Sequence, residues 1–471
     1  MAGTRLVEDL RALRPDLPIT VFGAEPHPPY NRVLLSEVLA GTASVDDLAL
    51  GEPSDVDVRP GVTVTGIDRD RRLVTASDGS EVRYDALVLA TGSEPLLPPI
   101  DGLRTDLPGV EAFRTLDDCR RIMGRCASRA IVLGGGLLGL EAARGLHGRG
   151  VGVTVVHAAP HLMERQLDGV AGQVLAGTLR RLGIQSHVAT STTQVLGQER
   201  FRGLLLADGR RLAADLLVVC CGVRPDAGLA RAAGLRVDRG VVVDDGMRSV
   251  TDPAVYAIGD CAEHDGQLYG LVGPAWAQAA VAARRISGVD PAARYTSSNL
   301  VTRLKACGVE LAAMGETGAN PADPADPAVE VVQFADPARG TYKKMVIRDD
   351  RLVGAILLGD VGTVGTVTAL YDRGGPVPPD RLALLFAAPP GGLAVPDDPT
   401  LLPDRATICH CNSVSKGAIM ACLRGGARSV GAVAVGTRAT TGCGGCAQTV
   451  AELVSRLSAC DPDPEPETAT A

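Results

Sequence analysis

Four cysteines near the end of the chain have the spacing of a metal or cluster site. Cys409-His410-Cys411 is a C-x-C pair, and Cys443-Gly444-Gly445-Cys446 is a C-x-x-C pair, with 31 residues between Cys411 and Cys443. Two close thiolate pairs on separate loops supply four sulfur ligands, which suits Zn²⁺ or an iron–sulfur cluster. Spacing alone does not choose between them. Gly442, Gly444 and Gly445 allow the tight turns that aim backbone N–H groups at sulfur.

A second constellation is GGGLLG, in which Gly134, Gly136 and Gly139 have G-x-G-x-x-G spacing directly after the apolar run AIVL. At the start of a helix, such glycines permit the turn, the close approach of a pyrophosphate, and tight helix–strand packing. The end of the next strand, where Asp or Glu would accept a ribose 2′-hydroxyl, is His157, so NADH and NADPH both stay open. Other strand ends carry candidate cofactor contacts: Glu25 in GAE, Thr91 and Gly92 in ATGS, Gly222 in CGVRPD, and Gly259 and Asp260 in AIGDC. A carboxylate at Asp260 can hold a ribityl or sugar hydroxyl, and one at Glu25 an adenosine ribose. Each alone is an ordinary strand-terminal turn. In this order and spacing they call for a flavin beside the nicotinamide.

The elements that must position these residues are legible as alternating short strands and helices. Helical periodicity over 4–15 precedes the strand ITVFG; short apolar segments follow at 62–66 and 72–75, then YDALVLATGS. Helices are expected over 137–149, 168–182 and near 275–287, with the strand VGVTVVH at 151–157 and LLVVCCGVRPD covering 216–226. This is the pattern of α/β domains with parallel sheets. From about 296 the texture changes: TYKKMVIRDDRLVGAILLGDVG reads as a hairpin of a mixed α+β module, and 384–404 is a Pro/Gly-rich linker.

Composition narrows the function. The 471 residues are 45% hydrophobic, enough for substantial cores, which excludes global disorder. Aromatics at 3% and a net charge of −8 argue against a nucleic-acid platform. No run of 18 apolar residues occurs and no signal-peptide pattern opens the chain, so the expected location is cytoplasmic, with no membrane partner. In that compartment the twelve cysteines point to thiol or metal chemistry and not to disulfides. Cys220-Cys221, Cys119 and Cys126 read as packing residues, and Cys422 and Cys460 as buried or incidental thiols on helical patterns. A C-x-x-C or C-x₄-C pair beside the flavin would signal disulfide reduction, and the front domain has none.

On these residues the chain resembles the pyridine nucleotide–disulfide oxidoreductase superfamily of flavoproteins. Within it, the chain is similar to the flavin-containing front half of assimilatory nitrite reductase large subunits and to assimilatory nitrate reductase electron-transfer subunits. PPYNRVLLSEVL (28–39), HLMERQLD (161–168), YGLVGPAWAQA (269–279) and SSNLVTRLKACGVELAAMGE (297–316) carry the likeness. ICHCNSVSKGAI with TRATTGCGGC resembles the bacterioferritin-associated ferredoxin-type domain, which implies a [2Fe–2S] cluster in a small helical module.

The resemblance implies two Rossmann-like domains, with the FAD domain discontinuous and the NAD(P) domain inserted. The expected divisions are 1–128 and 246–292 for FAD, 129–245 for NAD(P), and 293–383 for an interface domain. A linker at 384–404, a [2Fe–2S] domain at 405–460 and a disordered tail at 461–471 complete the chain. Arg32 and Lys305 become candidate charges near the flavin. The family's FAD domain opens with a strand and a glycine loop, whereas this chain begins Met1-Ala2-Gly3, keeping only the loop's final glycine. The expectation is a start codon assigned too late, so that one central strand and two glycines are missing.

The expected activity is an electron relay from NADH or NADPH through FAD and the cluster to a protein acceptor, a nitrate or nitrite reductase catalytic subunit. No sirohaem domain is expected in this chain, and no side-chain acid, base or nucleophile is demanded. A homodimer is compatible with this reading. Alternatives are a ferredoxin/rubredoxin-type or iron-mobilising reductase with another acceptor, and a non-enzymatic redox-sensing or assembly module.

Overall fold

Three runs of Val, Ile, Leu and Ala, at Arg129–Leu133, Gly152–Val156 and Leu216–Val219, are buried along nearly their whole length. Strands apolar on both faces belong inside a parallel sheet covered on both sides. In the computed structural model they form the centre of a five-stranded parallel sheet, flanked by Gln185–His187 and Val110–Ala112. The structure describes residues 1–51, 55–297, 300–304, 306, 308–319, 328–386, 399–409, 412, 414–441 and 445–458.

Side chains alternate across this sheet, as a period of two requires. Val132, Val153, Val155 and Val218 point to one face and pack against Leu140 and Leu146 of the Leu137–Gly148 helix and Leu175 and Leu179 of the Gly169–Arg181 helix. Ile131, Leu133, Val156, Leu217 and Val219 point to the other, against Phe201, Leu204 and Leu206. Those last residues belong to a segment whose three-stranded antiparallel meander is Thr192–Leu196, Gly203–Leu206 and Arg211–Ala213. The Gly169–Arg181 helix starts at Asp168, whose carboxylate accepts from Ala171 N at 2.9 Å and from the Tyr342 hydroxyl at 2.7 Å.

A second α/β core is assembled from both sides of this insertion. Leu87–Leu89 pairs in parallel with Val255–Ala257, so strands far apart in sequence close one ladder. Thr20–Gly23 pairs in parallel with Asp57–Pro60 as a separate two-stranded ladder. The Ala2–Leu13 helix lays Leu6 and Leu10 against Ala279, Ala282 and Ala283 of the Val272–Ile286 helix, where small side chains let the helices approach closely. The FAD-type domain is thus discontinuous, and the NAD(P)-type domain is inserted in it.

The chain divides into two compact units, one of Met1–Gly318, Phe334–Lys343 and Ile356–Asp360, the other of Ala319–Gln333, Lys344–Ala355 and Val361–Ala471. In the first unit, Val301–Arg303 pairs antiparallel with Leu311–Gly315, and the later strands of this region are Val329–Asp336, Thr341–Arg348 and Arg351–Leu358. Its expected hairpin turns at Asp349 and Asp350, both left-handed (φ 50° and 58°), as a two-residue type I′ turn needs. Of the expected linker and tail, residues 387–398 and 461–471 lie outside the described residues.

The LLVVCCGVRPD run divides at its strand end: Leu216–Val219 stops, the chain turns at Gly222 (φ 98°), and Val223–Pro225 pairs antiparallel with Ser93–Pro95. Two expectations need correction. The C-terminal module is not purely helical. Beside the helices Lys416–Arg424, Val430–Thr437 and Ala447–Ser458 it has an antiparallel pair, Thr407–Cys409 with Val414–Ser415. Cys126 is exposed, because the helix carrying Cys119 ends at Met123, whereas Cys119 is fully buried as expected. None of the described helices is long and apolar enough to cross a membrane.

Two predictions follow from the packing. Removing the Asp168 carboxylate (Asp168→Ala) is expected to cost about 1–2 kcal/mol, read by chemical denaturation, while Asp168→Asn keeps most of it. Burial pushes the Cys119 and Cys221 thiols up to about 11, so at pH 8 both stay protonated and inert. Iodoacetamide at pH 8 is expected to label Cys126 and spare both, as read by peptide mass spectrometry.

Candidate functional site

The first candidate site lies at the carboxyl end of the central Arg129–Leu133 strand, from which the chain runs to Gly152–Val156 on one side, while Leu216–Val219, reached much later in the chain, pairs on the other. Such a switch point opens a crevice at the carboxyl ends of the strands. The Gly134–Gly139 loop sits there. A Cβ on Gly134 (φ 114°) would lie 2.2 Å from Cys220 O, and one on Gly139 would lie 2.0 Å from Gly134 O. These two glycines are therefore required by backbone packing. Gly136 differs: nothing lies within 4 Å of a Cβ built there. It caps the Leu137–Gly148 helix, whose first turn has neither a side-chain cap nor an acidic residue. Open space at an uncapped helix start fits a pyrophosphate.

His157 ends the Gly152–Val156 strand beside this loop. Gly135 N donates to its Nδ1 at 3.1 Å, and its Nε2 lies 3.0 Å from Glu164 Oε2. Glu164 lies in the HLMERQLD segment, and its contact with His157 carries no local sequence signal. No spacing rule links a strand end to a residue seven places further on.

The second candidate site joins residues scattered over most of the front half. The Ala2–Leu13 helix also begins without a side-chain cap or an acidic first turn. A Cβ on Gly3 would meet Ala90 Cβ at 3.5 Å, and one on Gly259 (φ 77°) would meet Ala2 Cβ at 3.1 Å. Gly3, the Ala90–Gly92 turn and Gly259 thus converge. Gly259 N donates to Gln278 Oε1 at 2.7 Å, which fixes that turn against the Val272–Ile286 helix. The Thr91 hydroxyl donates to Asp226 O at 2.5 Å, and Gly222 O accepts from Leu96 N at 2.9 Å, tying these two strand ends together. Trp276 Nε1 is buried there without a hydrogen-bond partner among the described residues.

Asp260 and Glu25 are both engaged. Asp260 pairs with Arg114 at 2.7 Å and accepts from the Ser93 hydroxyl at 2.9 Å. Glu25 pairs with Arg32 at 2.5 Å and accepts from the Tyr30 hydroxyl at 2.6 Å. Arg32 also donates to Arg114 O at 3.1 Å, so one polar network runs from Glu25 to Asp260. Burial pushes the Tyr30 hydroxyl well above its usual range, and it remains a donor. Arg114 and Gln278 carry no local sequence signal, because their roles depend on contacts across the fold. Lys305 lies outside the described residues.

The third candidate site is in the C-terminal module. Cys409 and Cys446 belong to one buried core with Ile419, Val433 and Leu453. Asn412 Nδ2 donates to Arg438 O at 2.5 Å and to Thr441 Oγ1 at 3.2 Å, binding the loop after the first cysteine pair to the loop before the second. Arg438 and Thr440 take left-handed φ of 65° and 72° to make that second loop. The arrangement fits sulfur ligands drawn from two loops. Cys411 and Cys443 lie outside the described residues.

Comparisons with known proteins agree with this geometry. A family model described as pyridine nucleotide-disulphide oxidoreductase matches residues 1–284. Models described as rubredoxin NAD+ reductase C-terminal domain and BFD-like [2Fe-2S] binding domain match 301–372 and 407–456. The chain is 37% identical to a nitrite reductase [NAD(P)H] of Bacillus subtilis (strain 168), over 98% of this chain and 57% of that protein. It is 36% identical to the assimilatory nitrate reductase electron transfer subunit of the same organism, over 97% of this chain and 59% of that protein. It therefore spans little more than half the length of these relatives. Putidaredoxin reductase, solved in covalent complex with putidaredoxin, is 27% identical with a TM-score of 0.71, covering 81% of this chain and 93% of that one.

The two kinds of glycine make a paired prediction. Gly139→Ala is expected to destabilise the protein by about 1–3 kcal/mol, because a Cβ must displace backbone. Gly136→Ala is expected to change thermal stability little but to weaken nicotinamide nucleotide binding about tenfold or more, measured by calorimetry.

Proposed function

Because the chain belongs to the pyridine nucleotide-disulphide oxidoreductase family, whose model spans residues 1–284, we propose that it takes electrons from a reduced nicotinamide and delivers them to a nitrate- or nitrite-reducing partner protein. The chain is a flavoprotein oxidoreductase, and its domains call for FAD, NAD(P)H and a [2Fe–2S] cluster. The observation that supports the acceptor is the likeness, over 97% of this chain and 59% of that protein, to the nitrate reductase electron transfer subunit.

When bound, FAD supplies the exchange between two-electron and one-electron chemistry, and the cluster supplies a one-electron carrier. The protein's part is to bind and orient. Gly134, Gly136 and Gly139 would receive the nicotinamide dinucleotide, with His157 at its ribose side. Gly3, Thr91, Gly92, Gly222 and Gly259 would line the FAD, with Glu25 and Asp260 offering carboxylates to its hydroxyls. Arg32 holds Glu25 in place, and Arg114 does the same for Asp260. Lys305 is assigned to the flavin by family resemblance alone. Cys409, Cys411, Cys443 and Cys446 would ligate the cluster.

The domain division proposed is the one set by these sites: FAD over 1–128 and 246–292, NAD(P) over 129–245, an interface domain over 293–383 and the cluster domain over 405–460. A cytoplasmic location is part of the same proposal, in keeping with the free thiols of Cys119, Cys220 and Cys221.

The test is reconstituted turnover. The holoprotein, mixed with a purified nitrate or nitrite reductase catalytic subunit, is expected to support NAD(P)H-dependent reduction of that oxyanion. Cys409→Ser is expected to lower this turnover at least about tenfold while sparing ferricyanide reduction, which can draw electrons directly from flavin. Turnover with a ferredoxin or rubredoxin but with neither subunit would contradict the assigned acceptor.

A further inference from the structure

The end of the second strand in the inserted domain poses a problem of charge. A dinucleotide seated on the Gly134–Gly139 loop brings its adenosine ribose to that strand end, where a carboxylate ordinarily accepts the 2′-hydroxyl. The residue there is His157, which cannot act as that acceptor, because both ring nitrogens are already used. Gly135 N donates to Nδ1 at 3.1 Å, so Nδ1 is the acceptor and Nε2 carries the proton towards Glu164 Oε2 at 3.0 Å.

Glu164 is held beside the glycine loop by more than this contact. Met163 takes a left-handed φ of 52°, and its N donates to Gly135 O at 3.0 Å. Leu162 and Met163 are fully buried, and a Cβ on Gly135 would lie 2.5 Å from Leu162 Cδ2 and 2.9 Å from His157 Cγ. The Leu162–Leu167 stretch is therefore locked on the loop, and within it Glu164 and Arg165 are the exposed residues. His157 is 11% exposed at its side chain and Glu164 36%, so the carboxylate reaches solvent while the imidazole mostly does not.

We propose that Glu164, oriented by His157, is the carboxylate that reads the adenosine ribose, and that it makes the protein select NADH over NADPH. One of its oxygens is taken by His157, and the other remains for the 2′-hydroxyl. A 2′-phosphate in the same place would meet a like charge, which is the repulsive element that specificity requires. His157 is a positioning residue: its two hydrogen bonds transfer the orientation of the glycine loop to the glutamate. This inference rests on the reading that a nicotinamide dinucleotide binds at Gly134–Gly139.

The test uses calorimetric binding of ADP-ribose and 2′-phospho-ADP-ribose to the full chain, which isolates the ribose from the redox chemistry. Wild type is expected to bind ADP-ribose at least about tenfold more tightly. Glu164→Gln and His157→Ala are each expected to shrink that ratio at least about threefold, with the thermal unfolding midpoint of Glu164→Gln unchanged. Arg165→Gln is expected to leave the ratio as it was. Equal or tighter binding of the 2′-phosphorylated probe, or a ratio unaffected by Glu164→Gln, would overturn the proposal. So would loss of 2′-phospho-ADP-ribose binding in Arg165→Gln, which would make Arg165 the reader of a phosphate. If neither probe binds the wild type, the nucleotide assignment of the loop itself fails, and this inference with it.

Discussion

The structure depends on how closely three stretches of backbone approach one another at the head of the inserted domain. Gly134 lies against Cys220 O and Gly139 against Gly134 O, at separations no side chain could share. That contact lets the Leu137–Gly148 helix start directly off the central strand with its first N–H groups aimed outward. It also sets the height of the neighbouring strand end, and through Gly135 it fixes His157 and the segment that follows. Replacing one of these glycines would move the helix, the strand end and the ribose-side residues together.

The flavin-type half uses the same device with different parts. Its helix start meets the Ala90–Gly92 turn and Gly259, and the Val272–Ile286 helix buttresses it through Gln278. Polar residues then extend the site sideways, from Glu25 through Arg32 and Arg114 to Asp260. Two carboxylates near a dinucleotide's phosphates would repel them, and here each is paired with a guanidinium. On the proposed reading, the network would keep acidic hydroxyl acceptors beside an anionic ligand without leaving bare negative charge.

Much of this was legible in the sequence, for identifiable reasons. Apolar runs such as AIVL and LLVV have one stable destination, a strand buried on both faces, and glycine spacing after a strand is a local constraint. Cys409 and Cys446 could be grouped because two thiol pairs at short spacing are a local pattern that suits metal or cluster ligation. What stayed hidden was whatever arises from contact between distant segments. Arg114 and Gln278 are ordinary residues on ordinary helical or loop patterns until the fold brings them to Asp260 and Gly259. The turn at Gly222 is legible as a strand end in CGVRPD, but the switch in pairing from one sheet to another across it depends on distant segments. The strand carrying Cys409 was missed because Thr407–Cys409 is too short to show a period.

On the proposed function, one chain gathers electrons from a nicotinamide and holds them on a flavin and a cluster. Anaerobic titration of the holoprotein with NADH, followed by visible absorbance and electron paramagnetic resonance, tests it most directly. Uptake of about three electrons per chain is expected, two for FAD and one for a [2Fe–2S] cluster, with the cluster signal growing as the flavin bleaches. Full reduction by dithionite with no reduction by NADH or NADPH would contradict the claim.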